Sequence, residues 1–549
     1  VFSYKQREYA SLLRGLMMSA DHIASASTNY MPPNIPRLSD YNVNSYQLYG
    51  FQERTSKATG NLILRAPTGS GKTEAALLWA QLNQRHNGRL FYALPTTASI
   101  NAMYLRLSRI FPKDLVGLLH SRATSVLYSM FEQDGKGESL ANQRDARTIG
   151  SLVREMYYPI RVCTPHQILR YSLQGKGWEQ MLSEFPHSVF IFDEIHAYNP
   201  KLTGLTMATV RYLISHKARV MFLTATLPTF IRRLIEKGVP GIPFIEPSYT
   251  NAGDRKILEQ KRHTVEPIPG NIIDNLEKTI SKIGAAESNL IVCNHVPTAQ
   301  QVYKELSKRV KDTQLLHARF TRRDRNRIEN SLAKRIPRVL VSTQVVEVSL
   351  DLSFKQMFTE PAPIDALVQR MGRVNRRPKP EDKPAKVYIF TKQLRDTSKP
   401  YTEQLRDDSL KVITSPPMPL SEEDLNDAAD KVYGNGYNID DQREYNDGLN
   451  YEKLKEFKRF LIAGTSQDWI EQVIEDQEGT IELLPEQLLD EYNDLREQGL
   501  TIPANDLLVP VSRRRISGLI EDGRLDIEQD PWLLKDCRYS EKIGLELDK

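Results

Sequence analysis

The sequence predicts an α/β protein with two tandem domains built on parallel sheets, followed by an acidic, mostly helical C-terminal region. Three observations carry this. Short apolar runs alternate with helical patterns from about 45 to 245, as in "NLILRAP", "RLFYALP", "SVFIFDE" and "RVMFLTAT". After a Pro- and Gly-rich stretch, "GVPGIPFIEPSYTNAGD", the alternation resumes to about 395 with "NLIVCNH", "RVLVSTQ" and "KVYIFT". Strands alternating with helices are the pattern of a parallel sheet. The third observation is charge: residues 1–400 hold 57 Lys+Arg and 34 Asp+Glu, whereas residues 401–549 hold 17 and 35.

The 549 residues exceed one ordinary core, so several folded units are expected. The order reads as a helical N-terminal segment and linker over 1–40, α/β domains over 41–250 and 251–400, and an accessory region over 401–549. The N-terminal segment is "YASLLRGLMMSADHIASAS", followed by the connector "TNYMPPNIPRLSDYN". "SPPMPLSEED" marks the last break. No apolar run reaches the length of a membrane span, and no signal peptide is visible. Cys163, Cys293 and Cys537 are far apart and form no CxxC pair. That argues against a zinc knuckle or a disulfide framework and fits a reducing, cytoplasmic setting. A basic body with an acidic tail suggests that the body binds a polyanion, with merely solvated faces as the alternative.

The sharpest local signal is "NLILRAPTGSGKTEAALLWAQL", which reads as strand, loop and helix. Thr68, Gly69, Ser70 and Gly71 form a loop whose backbone N–H groups can turn toward a phosphate chain, at a helix start that adds its positive end. Lys72 can reach the β- and γ-phosphates, and the Thr73 hydroxyl can ligate Mg²⁺. The loop opens with Ala66 where the strict pattern has glycine. The helix is expected to bury Ala75, Leu77, Leu78 and Leu82. A second strand, "SVFIFDEIHAYNP", ends in two acids, which are costly there unless they meet a cation. Asp193 is the candidate for Mg²⁺, and Glu194 for polarising the attacking water. On "IDALVQRMGRVNRR", Gln369, Arg373 and Arg376 fall at helical spacing on one face, and arginines so placed can stabilise a phosphoryl group in transfer or contact a phosphate backbone.

These motifs resemble a superfamily 2 DExH helicase over about 45 to 395. The resemblance implies two tandem RecA-like domains, ATP with Mg²⁺, and a nucleic-acid strand as partner. It rests on "GFQERT", "LPTTASINAMYLRL", "CTPHQILR", "LTATLP", "VSTQVVEVSLDLSF" and "LVQRMGRVNRR". It implies that Gln52 reads the adenine edge and that Thr224 and Thr226 link hydrolysis to movement. It implies that Arg373 and Arg376 act as fingers, and that Asp351 faces the ribose or a domain interface, a capping aspartate being the alternative. Thr97, Thr164, His166, Thr343 and Gln344 become nucleic-acid-backbone candidates. "STQVVEVSLDLSF", "PAPIDALVQRMGRVNRR", "LLHARFTRRDRNRIE" and "FDEIHAYNP" together resemble the helicase portion of the type I CRISPR-associated helicase-nuclease. That family is an ATP-driven DNA translocase working with an HD nuclease and a Cascade-like effector complex. "GLMMSADHIASAS" resembles only the end of an HD domain, so nuclease activity is not expected of this chain. Asp21-His22 is then a remnant of that domain or an ordinary solvated helix pair. A different superfamily 2 motor, such as an RNA helicase or repair translocase, and a nucleotide-gated scaffold are the alternatives.

"HARFTRRDRNRIENSLAKRIPR" is the densest basic segment. Arg322 and Arg323 are candidates for phosphate contact, which carries affinity but not sequence choice. A solvated amphipathic helix with Ile328, Leu332 and Ile336 inward fits equally. His196, two residues beyond the acids, is expected to couple the hydrolysis site to the second domain through Gln369, a structural histidine being the alternative.

Overall fold

The apolar runs of the first half are strands of one parallel sheet in the computed structural model, which describes residues 3–25, 47–85, 88–120, 122–131, 139–154, 158–172, 177–284, 287–349, 352–376, 382–395, 400–450 and 479–547. Asp351 and the whole of the expected connector after the N-terminal helix lie outside the described residues. The described chain divides into two compact units. The first comprises Val1–Gly135, Arg144–Leu258 and Tyr433–Glu478; the second comprises Lys136–Gln143, Glu259–Val432 and Gly479–Lys549.

In the first unit seven strands run in the order β3-β4-β2-β5-β6-β1-β7. They are β1 (Leu62–Arg65), β2 (Leu90–Ala93), β3 (Val116–Leu119), β4 (Ile160–Cys163), β5 (Val189–Asp193), β6 (Arg219–Thr224) and β7 (Phe244–Ile245). Every pairing is parallel. Strands covered on both faces read as near-continuous apolar runs rather than alternating ones, and β2, β3, β4 and β5 are buried throughout, the buried Arg161 of β4 being paired with Glu184. Register sets the site: Arg65 lies beside Thr224, Asp193 beside Leu223, and Ala93 beside Phe192. The carboxyl ends of β1, β6 and β5 therefore share one edge, where ligands of open α/β sheets bind.

Two helices frame this unit. The N-terminal helix Tyr4–Ser25 is held by an Arg14–Glu179 ion pair of 3.0 Å, and it leaves Asp21 and His22 exposed. The helix Ile439–Leu449, from the region read as accessory, packs on Pro200–Ser215 of the first unit. Glycines make this possible: a Cβ on Gly204 would lie 2.2 Å from the Tyr445 carbonyl, and one on Gly448 2.3 Å from the Lys201 carbonyl. The packing thus shares the 401–549 region between both units, because its pattern carries no mark of which partner each helix covers.

In the second unit six parallel strands run in the order β10-β11-β9-β12-β13-β8. They are β8 (His263–Ile268), β9 (Asn289–Val292), β10 (Thr313–Leu316), β11 (Val339–Ser342), β12 (Gln356–Thr359) and β13 (Ala385–Phe390). The C-terminal region supplies helices, as its pattern predicts, and adds two small sheets that the pattern does not announce. One has the order β15-β14-β17-β16, from β14 (Thr480–Pro485), β15 (Val509–Ser512), β16 (Leu525–Asp526) and β17 (Leu533–Leu534). The other pairs β18 (Arg538–Ser540) with β19 (Gly544–Glu546). Most of these strands are two to four residues long, and the longest, β14, is buried only over its second half, so little alternation marks them. No helix among the described residues is long and apolar enough to cross a membrane.

Candidate active site

The loop after β1 leads into the helix Lys72–Asn83 through Gly71 in the left-handed conformation, φ 89°, with Gly69 at φ 83°. The helix buries Ala75, Ala76, Leu77, Trp79, Ala80 and Asn83, whereas Leu82 is 43% exposed, which corrects the expected apolar side. Trp79 and Asn83 face inward because their polar atoms find partners: Trp79 Nε1 donates to the Gly60 carbonyl and Asn83 Nδ2 to that of Ala58. Within the loop, Ser70 Oγ donates to the Pro67 carbonyl at 2.7 Å. Gln52 braces the loop from outside, since its Nε2 donates to the Gly71 carbonyl at 3.0 Å and its Oε1 accepts from Tyr49 N–H at 3.0 Å. The amide expected to read adenine also links the preceding helix to the phosphate loop.

Lys72 Nζ lies 3.1 Å from Glu194 Oε1, across 122 residues of sequence. Asp193 ends β5, buried, with Tyr92 Oη donating to Oδ2 at 2.8 Å and Glu194 N–H to Oδ1 at 2.9 Å. Burial first, and then the neighbouring Glu194 charge, push the Asp193 carboxyl up. Burial, the largest influence, would raise Glu194 too, but the Lys72 ammonium, His196 and the Ala225 N–H together outweigh it and hold Glu194 low. One acid is therefore shielded and the other is held as a carboxylate beside a lysine. Glu194 is placed by a left-handed backbone, φ 53° and ψ 45°, which turns the chain out of the strand.

His196 lies behind this pair. Its Nδ1 is 2.6 Å from Thr224 Oγ1 and 3.5 Å from Glu194 Oε2. Thr224 Oγ1 donates its one proton to the Thr226 carbonyl at 2.6 Å, so His196 Nδ1 is the donor in their contact. The histidine thereby ties the acid motif to Leu223–Pro228 within one unit. Thr226 Oγ1, Thr164 Oγ1, His166 Nε2 and Tyr198 Oη are buried without protein partners. Burial also pushes the His166 ring down to about 4. Thr97 opens the helix Thr97–Ile110, which Thr96 caps through Ser99 N–H.

Oxygen donors suited to a hard cation are present. The buried Thr73 hydroxyl and the Asp193 carboxylate both lie beside the Tyr92 hydroxyl. Thr73 Oγ1 also accepts from Arg106 at 3.0 Å. Among the described residues no group of three or more His, Cys, Asp or Glu side chains could hold a metal alone. Two protein oxygens suit Mg²⁺, which enters with phosphates and keeps waters, better than a protein cage does.

In the second unit the expected helical face of Gln369, Arg373 and Arg376 does not form as one helix. The helix is Ile364–Met371 and ends at Gly372, so Gln369 is helical and both arginines follow its end. Arg373 Nε donates to the Val346 carbonyl at 3.0 Å, and Arg376 N–H to Ser353 Oγ at 3.1 Å. The arginine that sequence reasoning missed is Arg370. It is fully buried, bonded to Glu347 at 2.7 Å, Thr359 at 2.8 Å and Asn294 at 3.1 Å. Its neighbour Gln344 donates to the Asn294 carbonyl at 2.9 Å, and Thr343 is buried at the end of β11. Arg322 and Arg323 do not present an open basic face: Arg322 pairs with Glu482 and Arg323 with Glu491. Leu332 and Ile328 do face inward, while Ile336 lies beyond the helix end.

Together, a phosphate loop after β1, an acid pair at the end of β5, two strands along the sheet, and a second parallel-sheet unit match the plan of a superfamily 2 helicase. The DEAD/DEAH box helicase family matches residues 46–234, and the C-terminal model of the CRISPR-associated nuclease/helicase Cas3 family matches residues 285–379. Within that class the chain falls beside the Cas3 proteins. It is 30% identical over 424 residues to the CRISPR-associated nuclease/helicase Cas3 of Methanothermobacter thermautotrophicus, covering 72% of this chain and 49% of that protein. A putative counterpart from Methanocaldococcus jannaschii is 27% identical over 581 residues, covering 98% of this chain and 75% of that one. The crystal structure of T. fusca Cas3-ATP shares the fold, with a TM-score of 0.67 at 20% identity, covering 94% of this chain and 72% of that chain. The chain thus spans about half the length of the first relative.

Proposed function

We propose that this chain is an ATP-driven translocase on single-stranded DNA, acting in type I CRISPR interference. It moves 3′ to 5′, is loaded by a Cascade-like effector complex in the cytoplasm, and delivers target DNA to an HD nuclease domain or subunit. The observation that carries the reading is the Lys72–Glu194 pair at the mouth of the phosphate loop. In that place Lys72 serves the β- and γ-phosphates of ATP, and Glu194, released from the lysine, takes a proton from the attacking water. The Gly69, Ser70 and Gly71 N–H groups and the start of the helix orient the phosphate chain. Thr73 and Asp193 would hold Mg²⁺, which supplies charge neutralisation at the phosphates. Arg373 and Arg376 serve the γ-phosphate from the second unit, Asp351 the ribose, and Gln52 the adenine. Thr97, Thr164, His166, Thr343 and Gln344 line the strand.

The test is ATP turnover with and without single-stranded DNA. Lys72→Ala is expected to abolish the stimulated rate, and an unchanged rate overturns the assignment. Stimulation by RNA rather than DNA of equal length points to the RNA-helicase alternative. Coupling between His196 and Gln369 predicts non-additive losses in a double-mutant cycle on stimulated turnover.

A further inference from the structure

The densest basic segment becomes the helix Arg322–Lys334, capped by Thr321, whose hydroxyl accepts from Asp324 N–H at 3.1 Å. Three of its arginines meet acids from residues 479–547. Arg322 pairs with Glu482 and lies 4.0 Å from Asp506; Arg323 pairs with Glu491; Arg327 lies 2.8 Å from Glu541. The outer pairs are open to water, with side-chain exposures of 40% and 44% for Arg323 and Glu491 and of 56% and 59% for Arg327 and Glu541. A cavity of about 360 Å³ opens beside Arg322 and Glu482, lined also by Tyr492, Arg496 and Asn505.

A second set of contacts holds the same segments together apart from those exposed ion pairs. Leu545 N–H donates to the Arg319 carbonyl at 2.8 Å and Arg323 N–H to the Asp506 carbonyl at 3.1 Å. Gln300 Nε2 donates to the Ile543 and Leu545 carbonyls, each at 3.0 Å. Tyr539 Oη bonds to Asp324, and Leu545 is fully buried. Docking therefore does not depend on the exposed ion pairs, which are weak in water and weaken further with salt. Carboxylates at these positions satisfy guanidinium groups much as phosphate oxygens do.

We infer that the arginines of helix Arg322–Lys334 form a phosphate-binding face for single-stranded nucleic acid, and that the C-terminal carboxylates occupy it as exchangeable stand-ins for phosphate. The inference rests on the reading of the chain as a nucleic-acid motor and adds a gate to it. Strand phosphates bind this face by displacing Glu491 and Glu541 while the module stays docked through its backbone bonds. The acidic excess of the C-terminal region then sets how strongly a strand must compete.

The test uses the full chain and a fluorescent single-stranded DNA oligonucleotide, titrated over a range of salt. Glu491→Gln with Glu541→Gln is expected to tighten binding several-fold at low salt. It should also steepen the dependence of log affinity on log salt by about 1.4, for two further phosphate contacts on a single strand. Adding Arg323→Gln and Arg327→Gln to that variant should erase the gain. The same two arginine substitutions in the otherwise unchanged chain should cost much less. Equal affinity and equal salt slope for the chain and its Glu491→Gln, Glu541→Gln variant overturn the gate, provided single strands still raise ATP turnover. The motor reading fails separately if they do not, and a chain that binds no strand with or without the substitutions overturns both.

Discussion

Asp193 and Glu194 are neighbours in sequence with opposite electrostatic fates, because one ends a buried strand and the other turns out toward Lys72. Both acids are legible in the sequence, since an apolar strand running into two carboxylates demands a cation. The phenols around them are not. Tyr92 sits in "RLFYALP" as one more buried strand residue, and nothing local marks its bond to Asp193. Tyr198 is equally silent. Its hydroxyl is buried without a protein partner, while burial and the charges on Asp193, Cys163 and Glu194 push its phenol pKa well up. Tyr198→Phe is therefore expected to raise folding stability by about 1 kcal/mol, the cost of an unmade hydrogen bond, read from thermal melting. A lower melting temperature would mean that the hydroxyl is satisfied by ordered water.

Elements are legible where the hydrophobic pattern and the stop signal agree, and less so where the chain leaves a helix without a local mark. Helical spacing alone joins Gln369 to Arg373 and Arg376, yet the helix ends with Gly372 as its C-cap, and Asn375 beyond it turns left-handed at φ 48°. Arg370 carries no local mark in the sequence, where a lone charge in a helical run is as easily solvated, yet it bonds three segments of the second unit. Burial raises Glu347, and Arg370 offsets that as its partner. Arg370→Met should destabilise the second unit by about 3–5 kcal/mol, the cost of leaving one buried charge alone. Adding Glu347→Met should recover much of the loss in denaturant melts. The phosphate loop offers a second check. Alanine at Gly71 would need φ near 89° and would bring its Cβ within 2.4 Å of Gln52 Nε2. Gly71→Ala is expected to raise the KM for ATP about tenfold, the equivalent of about 1.4 kcal/mol of left-handed strain and displaced Gln52 amide.

Over the whole molecule, the two parallel sheets were legible because both are built from continuous apolar runs, whereas the sharing of the C-terminal region depends on surfaces that do not exist until both units fold. The opposite charges of body and tail were legible too, but not that they meet at one helix. Buried histidines give a global pH response. His263 and His317 are pushed down to about 3, each mainly by burial. An unfolded histidine titrates near 6.5, so the unfolded chain binds more protons below that pH. Their stability contribution is present above about 6.5 and is lost as pH falls toward 3, by about 1.4 kcal/mol per pH unit for each histidine. Melting temperature should fall on acidification from pH 7 to 5, and His317→Gln should flatten that fall. The helix Ile439–Leu449, seated on Pro200–Ser215 through Gly204 and Gly448, has a consequence for how the molecule is made. A ribosome emits every strand of the second parallel sheet before the segment that covers the first unit leaves the tunnel. During translation the Gly204 face of Pro200–Ser215 therefore stays open until residues 439–449 emerge, and the second unit closes later still, because it needs Gly479–Lys549.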